Sequence, residues 1–365
     1  MRAVYDTVAE IVSPVYLVGG AVRDQVLGTE PKDHDFSTPL LPAEVETLVR
    51  AAGRKPYLVG SRFGTIGMKV DTDGEWRYVE ITTFRSEKYT KGSRKPEVVF
   101  VSNITHDLSR RDFTINAMAM RGRRLIDPFG GQDDLTEGIL RAVGTPSHRF
   151  REDPLRILRL ARFASQLGFV AEPTTLKHAR ELSYKVLGVS RERWMAEMDK
   201  LLCGPNVKHG LAVLKETRLL NFILPELAVQ VGYDQNTPHH DFTLWEHTCR
   251  VVEAVPPEPS IRWAALLHDI GKPATRTERP DRSNYVRHDM LGYEMVRKLA
   301  AYLKWSNDRT EVVSGLVRDH LTEDSPLKEA DSGSQKLSSI TAAYPITGTS
   351  YVVTLDPRGS DDHAD

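Results

Sequence analysis

Two aspartates flank a histidine in "KDHDFST", residues 32–38. Along a strand, side chains alternate between faces. Asp33 and Asp35 then share one face, roughly 7 Å apart at Cα, with His34 on the other. Two carboxylates that close repel each other, and the usual remedy is a divalent cation. A donor set made only of oxygens favours magnesium. A third acid, Glu80, lies in "RYVEITTF", where Val79 and Ile81 take one face and Glu80 the other with Tyr78 and Thr82. On a neighbouring strand it would complete a metal cluster; on a half-exposed sheet it reads equally as a surface acid. Upstream, Gly19-Gly20 closes the apolar run "VYLV" and Arg23 follows at once. Glycine lets backbone N–H groups approach a phosphate, and a helix N-terminus attracts anions. Together these residues predict a triphosphate-binding loop beside a magnesium site. In that chemistry the metal activates a hydroxyl and stabilises departing pyrophosphate during in-line displacement.

A second set of candidate residues lies far downstream. "FTLWEHT", "ALLHDIGKP", "VRHDMLGYE" and "LVRDHLTED" carry His247, His268-Asp269, His288 and His320. His and Asp at dispersed helical positions can converge on a divalent metal. His247, His268 and Asp269 are the first-choice ligands, with His320 as a fourth. His239-His240 in "TPHHDF" fit a loop equally well.

The elements that must position these groups change character along the chain. Residues 1–12 read as a short amphipathic helix, "VYLVGG" as a strand ending in a turn, and "AVRDQVLG" as a helical turn or two closed by Gly28. "YLVG", "GTIGMKV" and "WRYVEITTF" read as strands, with "DTDGE" a hairpin turn. "DLSRRDFTINAMAM" looks helical, and "RRLIDPFGGQDDL" looks like a short strand and a loop. From about Phe150, "DPLRILRLARFASQL", "TTLKHARELSYKV", "RERWMAEMDKLL", "VKHGLAVLKETRLL" and "LWEHTCRVVEAV" all show helical periodicity. The expectation is an α/β head followed by an all-helical body.

The chain has 365 residues, 40% of them hydrophobic and 27% charged, which suits two or three globular domains. Its net charge of −1 rules out a polycation, so any nucleic-acid contact must rest on local charge. Between Arg85 and Arg124, ten Lys/Arg stand against four Asp/Glu, enough to follow a phosphate backbone. The two cysteines, Cys203 and Cys249, lie far apart without CxxC spacing, which suits a reducing cytoplasm and argues against a zinc-thiolate site. No signal peptide or membrane span is apparent, and nothing signals an oligomeric state.

"LVGGAVRDQVLG…KDHDFST" resembles the signature of the class II tRNA nucleotidyltransferase and bacterial poly(A) polymerase family, within the polymerase-beta-like nucleotidyltransferases. "VEITTFRSEKYTKGSRKPEVVF", "DLSRRDFTINAMAM", "LIDPFGGQDDL", "REDPLRILRLARFASQLGF" and "RERWMAEMDKLL" resemble its further motifs in family order, and "HD" followed by "GKP" resembles the HD phosphohydrolases. The resemblance implies a polymerase-beta-like head of mixed sheet and helices over 1–145 and a helical neck with a nucleotide-selecting motif over 146–225. An HD-like helical domain follows over 226–325, then an irregular or partly disordered tail over 326–365. It implies that Asp33 and Asp35 hold two Mg2+ ions, and that Gly20, Arg23 and Arg111 contact the incoming nucleotide. Asp153 and Arg156 would bond the base edge, with Arg159 and Arg162 nearby. Read from the residues alone, Asp153-Pro154 is a helix cap and the three arginines a solvated stripe.

The activity so implied is addition of C, C and A to the 3′ end of tRNA from CTP and ATP, releasing pyrophosphate. A second divalent metal (Ni2+, Mn2+ or Mg2+) would sit in the HD site, where phosphomonoesters or 2′,3′-cyclic phosphates would be hydrolysed. Alternatives within the family are a poly(A) polymerase and a single-step CC- or A-adding enzyme. The complete loop "RSEKYTKGSRKP" tilts against CC-only addition, and the lack of a long basic C-terminal extension tilts against poly(A) synthesis. Alternatives of other classes are an HD metallophosphohydrolase with an inactive head and a non-catalytic RNA-binding module. The intact "DHD" opposes both, because unoccupied acids repel phosphate.

Overall fold

In the computed structural model, the described residues are 2–31, 33–72, 74–88, 97–236, 242–280, 282–322, 325 and 327. They fall into two compact units, residues 1–156 with 170–178, and residues 157–169 with 179–365.

The first unit is built on a six-stranded mixed sheet. Its strands are β1 (Tyr16–Val18), β2 (His34–Thr38), β3 (Thr65–Thr72), β4 (Glu75–Thr83), β7 (Ala119–Arg121) and β8 (Arg124–Ile126), while β5 (Arg85–Lys88) and β6 (Glu97–Phe100) form a separate antiparallel hairpin. The sheet order is β3-β4-β2-β1-β7-β8, with β2 and β4 parallel and the other pairs antiparallel. Period-two alternation decides which face is buried. Phe36, Val79, Ile81, Ile66 and Met68 are at most 1% exposed, whereas Asp35 and Glu80 face solvent. Beside β1, Val18, Leu108, Ala117, Ala119 and Val143 form a core cluster.

The helices Arg2–Ile11 and Gly20–Val26 and the strands at "GTIGMKV" and "WRYVEITTF" stand where the sequence places them. Gly28 takes φ +74° just past the second helix. Gly74, at φ +84°, turns the hairpin, its N–H donating to Asp71 Oδ1 at 3.1 Å.

Three segments differ. "YLVG" keeps only a single bridge, Tyr57 to Gly67, before a 3-10 turn at Ser61–Phe63 that Gly64 closes at φ +89°. "DLSRRDFTINAMAM" is helical only in Ile104–Ser109; its second half is the 3-10 turn Thr114–Asn116 and strand β7. Pairing of Met120 with Leu17 and of Ala119 with Val18 outweighs the helical periodicity. "GGQDDL" forms the helix Gly131–Glu137, because the Asp127 carboxylate accepts the N–H groups of Gly131 and Gln132, both at 2.8 Å.

The second unit is helical. Its elements include Arg191–Leu202, Val207–Glu216, Leu244–Ala254, Pro259–Leu267, His288–Leu303 and Asn307–Arg318, and among its described residues only the short pair Thr277–Glu278 and Ser283–Asn284 is strand. The helix Leu155–Leu167 starts in the first unit and ends in the second. No helix among the described residues is long and apolar enough to cross a membrane. His239-His240 and the tail from 328 lie outside the described residues, as does the loop segment "YTKGSRKP".

Candidate functional site

In the first unit the acids gather on the solvent-facing side of β2 and β4. Asp35 stands in register with Glu80 across the parallel pair. Asp33 occupies the bend just before β2, and all three residues are exposed. His34 is 4% exposed on the opposite face, as alternation requires. Burial, then the charge of Glu80, raises the Tyr78 hydroxyl above its ordinary value. Tyr78 lies across Gly67 of β3, where a Cβ would collide with the ring, and stacks edge-on against Tyr57.

Loss of hydration pushes the Asp35 carboxyl above its ordinary value; Arg111 pulls it down, and the charges of Glu80 and Asp33 push it up. Asp35 is exposed by area, so the loss of hydration comes from the protein around the carboxyl rather than from a closed core, and Glu80 and Asp33 add to it. An oxygen-only set that raises a member's pKa fits a divalent cation. The three carboxylates do not by themselves close a cage: among the described residues, groups of three His/Cys/Asp/Glu whose ligand atoms lie within 4.8 Å of one another occur only in the second unit. Magnesium is ordinarily held this way, by one or two carboxylates with substrate phosphates completing the shell. Carbon-13 NMR of the free protein should find Asp35 titrating above 3.8 and moving down as Mg2+ is added, since cation and proton compete for the carboxylate. Titration at or below 3.8 without Mg2+ would contradict this environment for Asp35.

Two guanidinium groups lie over the paired glycines. Gly19 has φ +71°, and a Cβ there would stand 2.5 Å from Arg111 Nη1. A Cβ on Gly20 would stand 3.5 Å from Arg23 Nη2. Arg23 donates to Asn116 Oδ1 at 2.8 Å and to Asp24 Oδ1 at 2.6 and 2.9 Å. Asn116 in turn donates to Asp112 Oδ1 at 3.1 Å. Arg111 lies 3.7 Å from Asp107, which also pairs with Arg110 at 2.9 Å and accepts the Arg85 N–H at 3.2 Å. Asp107 is fully buried. Burial alone would raise its pKa, but Arg110 and Arg111 overrule it and hold the carboxyl below the usual range.

Asp153 accepts the N–H of Leu155 at 3.1 Å, the capping role that its position before Pro154 allows. Arg156 is 8% exposed and donates to Glu152 at 2.8 Å, the Arg149 carbonyl at 3.1 Å and the Arg110 carbonyl at 2.6 Å. In the second unit, Glu197 faces Arg162 at 3.1 Å and Arg159 at 3.5 Å, and both guanidiniums overlie Phe163. The arginine stripe is therefore anchored rather than freely solvated.

The second unit also brings the histidines together. His247, His268, Asp269, His288 and His320 are each at most 7% exposed. Asp269 Oδ2 lies 3.1 Å from His268 Nε2 and 3.5 Å from His247 Nε2, while Oδ1 lies 3.2 Å from His288 Nε2 and 3.8 Å from His320 Nε2. Lys272 Nζ stands 2.6 Å from Oδ2. Burial would raise the Asp269 pKa, but the positive neighbours His268 and Lys272 hold it well below the usual range. Burial, with the charge of His268, lowers His320 to about 4, so its ring is neutral near pH 7 and its nitrogen free to ligate. Neither oxygen of Asp269 receives a well-aligned hydrogen bond. A buried carboxylate ringed by imidazoles, with Lys272 against one oxygen, fits a metal ion.

A family model described as the poly A polymerase head domain matches residues 15–141, the probable RNA and SrmB-binding site of polymerase A matches 168–230, and the HD domain matches 244–339. The A-adding tRNA nucleotidyltransferase of Deinococcus radiodurans is 34% identical over 321 residues, 84% of this chain and 68% of that protein. This chain belongs to the tRNA nucleotidyltransferase family. Within the family, the CCA-adding enzyme of Geobacillus kaustophilus is 42% identical over 218 residues, 59% of this chain and 52% of that protein. The Bacillus stearothermophilus CCA-adding enzyme, solved in complex with CTP, matches with TM-score 0.60 and 32% identity, covering 88% of this chain and 74% of that one. The chain spans about half to two thirds of the length of the curated relatives it matches.

Several residues of this family member escaped the sequence reading as site components. Asp107, Asp112 and Asn116 sit inside the quoted "DLSRRDFTIN", but only the fold shows that they hold Arg23 and Arg111. His288 is visible in "VRHDMLGYE", yet its place beside Asp269 depends on two helices meeting. Glu197 lies in "RERWMAEMDKLL", with nothing local to mark its pairing with the arginines.

Proposed function

We propose that this nucleotidyltransferase adds C, C and A in turn to the 3′ end of tRNA from CTP and ATP, releasing pyrophosphate. The observation that carries the reading is the register of Asp35 with Glu80 on exposed strand faces, beside the Arg111 guanidinium that lies over Gly19. The names of the relatives support tRNA as acceptor.

Asp33 and Asp35 would hold magnesium, which polarises the terminal hydroxyl of the tRNA and offsets charge on the leaving pyrophosphate. Glu80 adds negative charge beside Asp35 and strengthens its hold on a cation. Arg23 and Arg111 place positive charge where the triphosphate lies, and Gly19 and Gly20 let those guanidiniums sit directly against the backbone. Asp153 and Arg156 would read the base: a pure acceptor beside a rigid multi-donor suits the amino group and ring nitrogen shared by cytosine and adenine. In the second unit, His247, His268, Asp269 and His320 would hold a divalent metal for hydrolysis of phosphomonoesters or 2′,3′-cyclic phosphates.

A second reading, addition of A alone, is favoured by the Deinococcus relative, which matches 84% of the chain. The test uses tRNAs ending before CCA, after C and after CC, with CTP and ATP supplied separately and together. Full addition predicts three, two and one added nucleotides with both substrates, and two with CTP alone on the shortest tRNA. Extension of only the CC-ending tRNA, by one A, would replace the first reading with the second. An untemplated A ladder would contradict both.

A further inference from the structure

The solvent-facing side of the head sheet carries more than carboxylates. Beyond Glu80, the same face of β4 bears Tyr78 and Trp76, 49% and 60% exposed. We infer that these two side chains form a stacking platform for the unpaired bases at the 3′ end of the RNA acceptor, and that this stacking holds the terminal hydroxyl beside the carboxylates of Asp33 and Asp35. The inference rests on the reading of the head as a site of nucleotide transfer to RNA. It goes beyond that reading in saying where the acceptor strand lies and which residues grip it.

Sheet order is the first argument. Strand β2 lies between β1 and β4. On the β1 side stand Gly19 and Gly20 with the guanidiniums of Arg111 and Arg23 over them, positive charge that suits a triphosphate. In an in-line displacement the attacking and leaving oxygens occupy opposite sides of the phosphorus. Pyrophosphate departing toward β1 puts the attacking hydroxyl on the β4 side. What β4 offers there is aromatic. Tyr78 precedes Val79 as Asp33 precedes His34, and Val79 is the register partner of His34. A Cβ on Gly67 would collide with the Tyr78 hydroxyl and ring, so glycine at that position lets the ring lie over β3.

The chemistry of the strip is the second argument. Every base has a π-face, so exposed rings bind single strands whatever their sequence, and nearby cations follow the phosphates. Arg54 lies over the Trp76 ring at 5.4 Å, and Tyr57 meets Tyr78 edge-on at 5.6 Å. Both rings are thereby steadied while much of their area stays in water. Neighbouring large aromatics left in water are characteristic of a surface that binds something. Lys69 is exposed and in register with Tyr78. Asp71, level with Trp76, is engaged at the hairpin turn, where it accepts the Gly74 N–H at 3.1 Å. Along β4, Tyr78 and Trp76 lie about 7 and 14 Å from Glu80, while a stacked strand rises about 3.4 Å per nucleotide. The strip therefore matches roughly the last two to four nucleotides of the acceptor.

The test measures addition of A to tRNA ending in CC, and to the same tRNA with the two bases before the terminal one removed to leave abasic sugars. Trp76→Ala should raise the KM for tRNA about tenfold or more, with kcat and the KM for ATP within about threefold of the parent. Trp76→Phe keeps a ring and should stay within about threefold of the parent in all three. Tyr78→Ala should behave as Trp76→Ala does, and Tyr78→Phe as the parent. Removing the two bases should cost the parent a similar factor but cost Trp76→Ala little more, because losses from the two sides of one contact do not add. Circular dichroism should be unchanged, since both rings are exposed. An unchanged KM for tRNA in Trp76→Ala, or losses that multiply, would overturn the platform and leave nucleotide transfer standing. A raised KM for ATP with that for tRNA unchanged would overturn it in favour of stacking on the incoming base. No addition by the parent to any tRNA would overturn the underlying reading too.

Discussion

Replacing Asp35 by alanine is expected to reduce nucleotide addition by on the order of 10³-fold or more while the head stays folded. Metal-borne stabilisation of the transition state is worth several kcal/mol, and each 1.36 kcal/mol is about a factor of ten. The variant should be no less stable than the parent. The folded-state pKa of Asp35 is raised, so the group favours folding when protonated and opposes it once ionised at neutral pH; removing the charge relieves that opposition. Asp35 lies on the exposed face of β2, so no core volume is lost. The combination of lost activity with an unchanged or raised melting temperature distinguishes a metal-holding role from a structural one. Residual addition within tenfold of the parent would contradict the assignment.

Asp107→Ala is expected to have the largest effect on stability. Asp107 is fully buried and neutralises Arg110 and Arg111, while taking the Arg85 N–H. Removing one partner of a buried ion pair costs about 3–5 kcal/mol. Here the lower end applies, because the two arginine side chains retain 18% and 19% exposure and keep some water. A loss of about 3 kcal/mol lowers the melting temperature of a unit this size by roughly 6–12 °C. Asp107→Asn keeps the shape and acceptor and should lose less. The pH dependence follows from the depressed pKa: the stabilising contribution is complete above the unfolded-state value near 3.8 and is lost as pH falls through the lower folded-state value. Parent and Asp107→Ala proteins should therefore converge in stability at strongly acid pH. Activity should also fall, since Arg111 loses the partner that steers it over Gly19. A loss under about 1 kcal/mol in denaturant titration would show that the network is not what secures this part of the head.

The parts of the site legible in the sequence are those whose geometry is local. Alternation along a strand placed Asp35 on the exposed face and His34 inside, and separated Glu80 from Val79 and Ile81. A glycine pair before a helix marked the loop under the two arginines. What was not legible depends on residues far apart in the chain. Strand β7 exists because Leu17 and Val18 offer it a partner a hundred residues away, and taken alone "TINAMAM" reads as a helix. The helix after Asp127 depends on one carboxylate capping two N–H groups in a stretch whose glycines suggest a loop. His288 carried a visible chemical signal, but its distance from Asp269 is set by the approach of two helices, made close by glycines at 271 and 292.

The most direct measurement is anomalous diffraction from crystals of this protein grown with Mn2+ in place of Mg2+ and soaked with CTP. A manganese peak bonded to the carboxylates of Asp33 and Asp35, with triphosphate oxygens completing its shell and Arg111 beside them, is the expected result. CTP bound to the head with manganese elsewhere and both carboxylates turned into solvent would contradict the account.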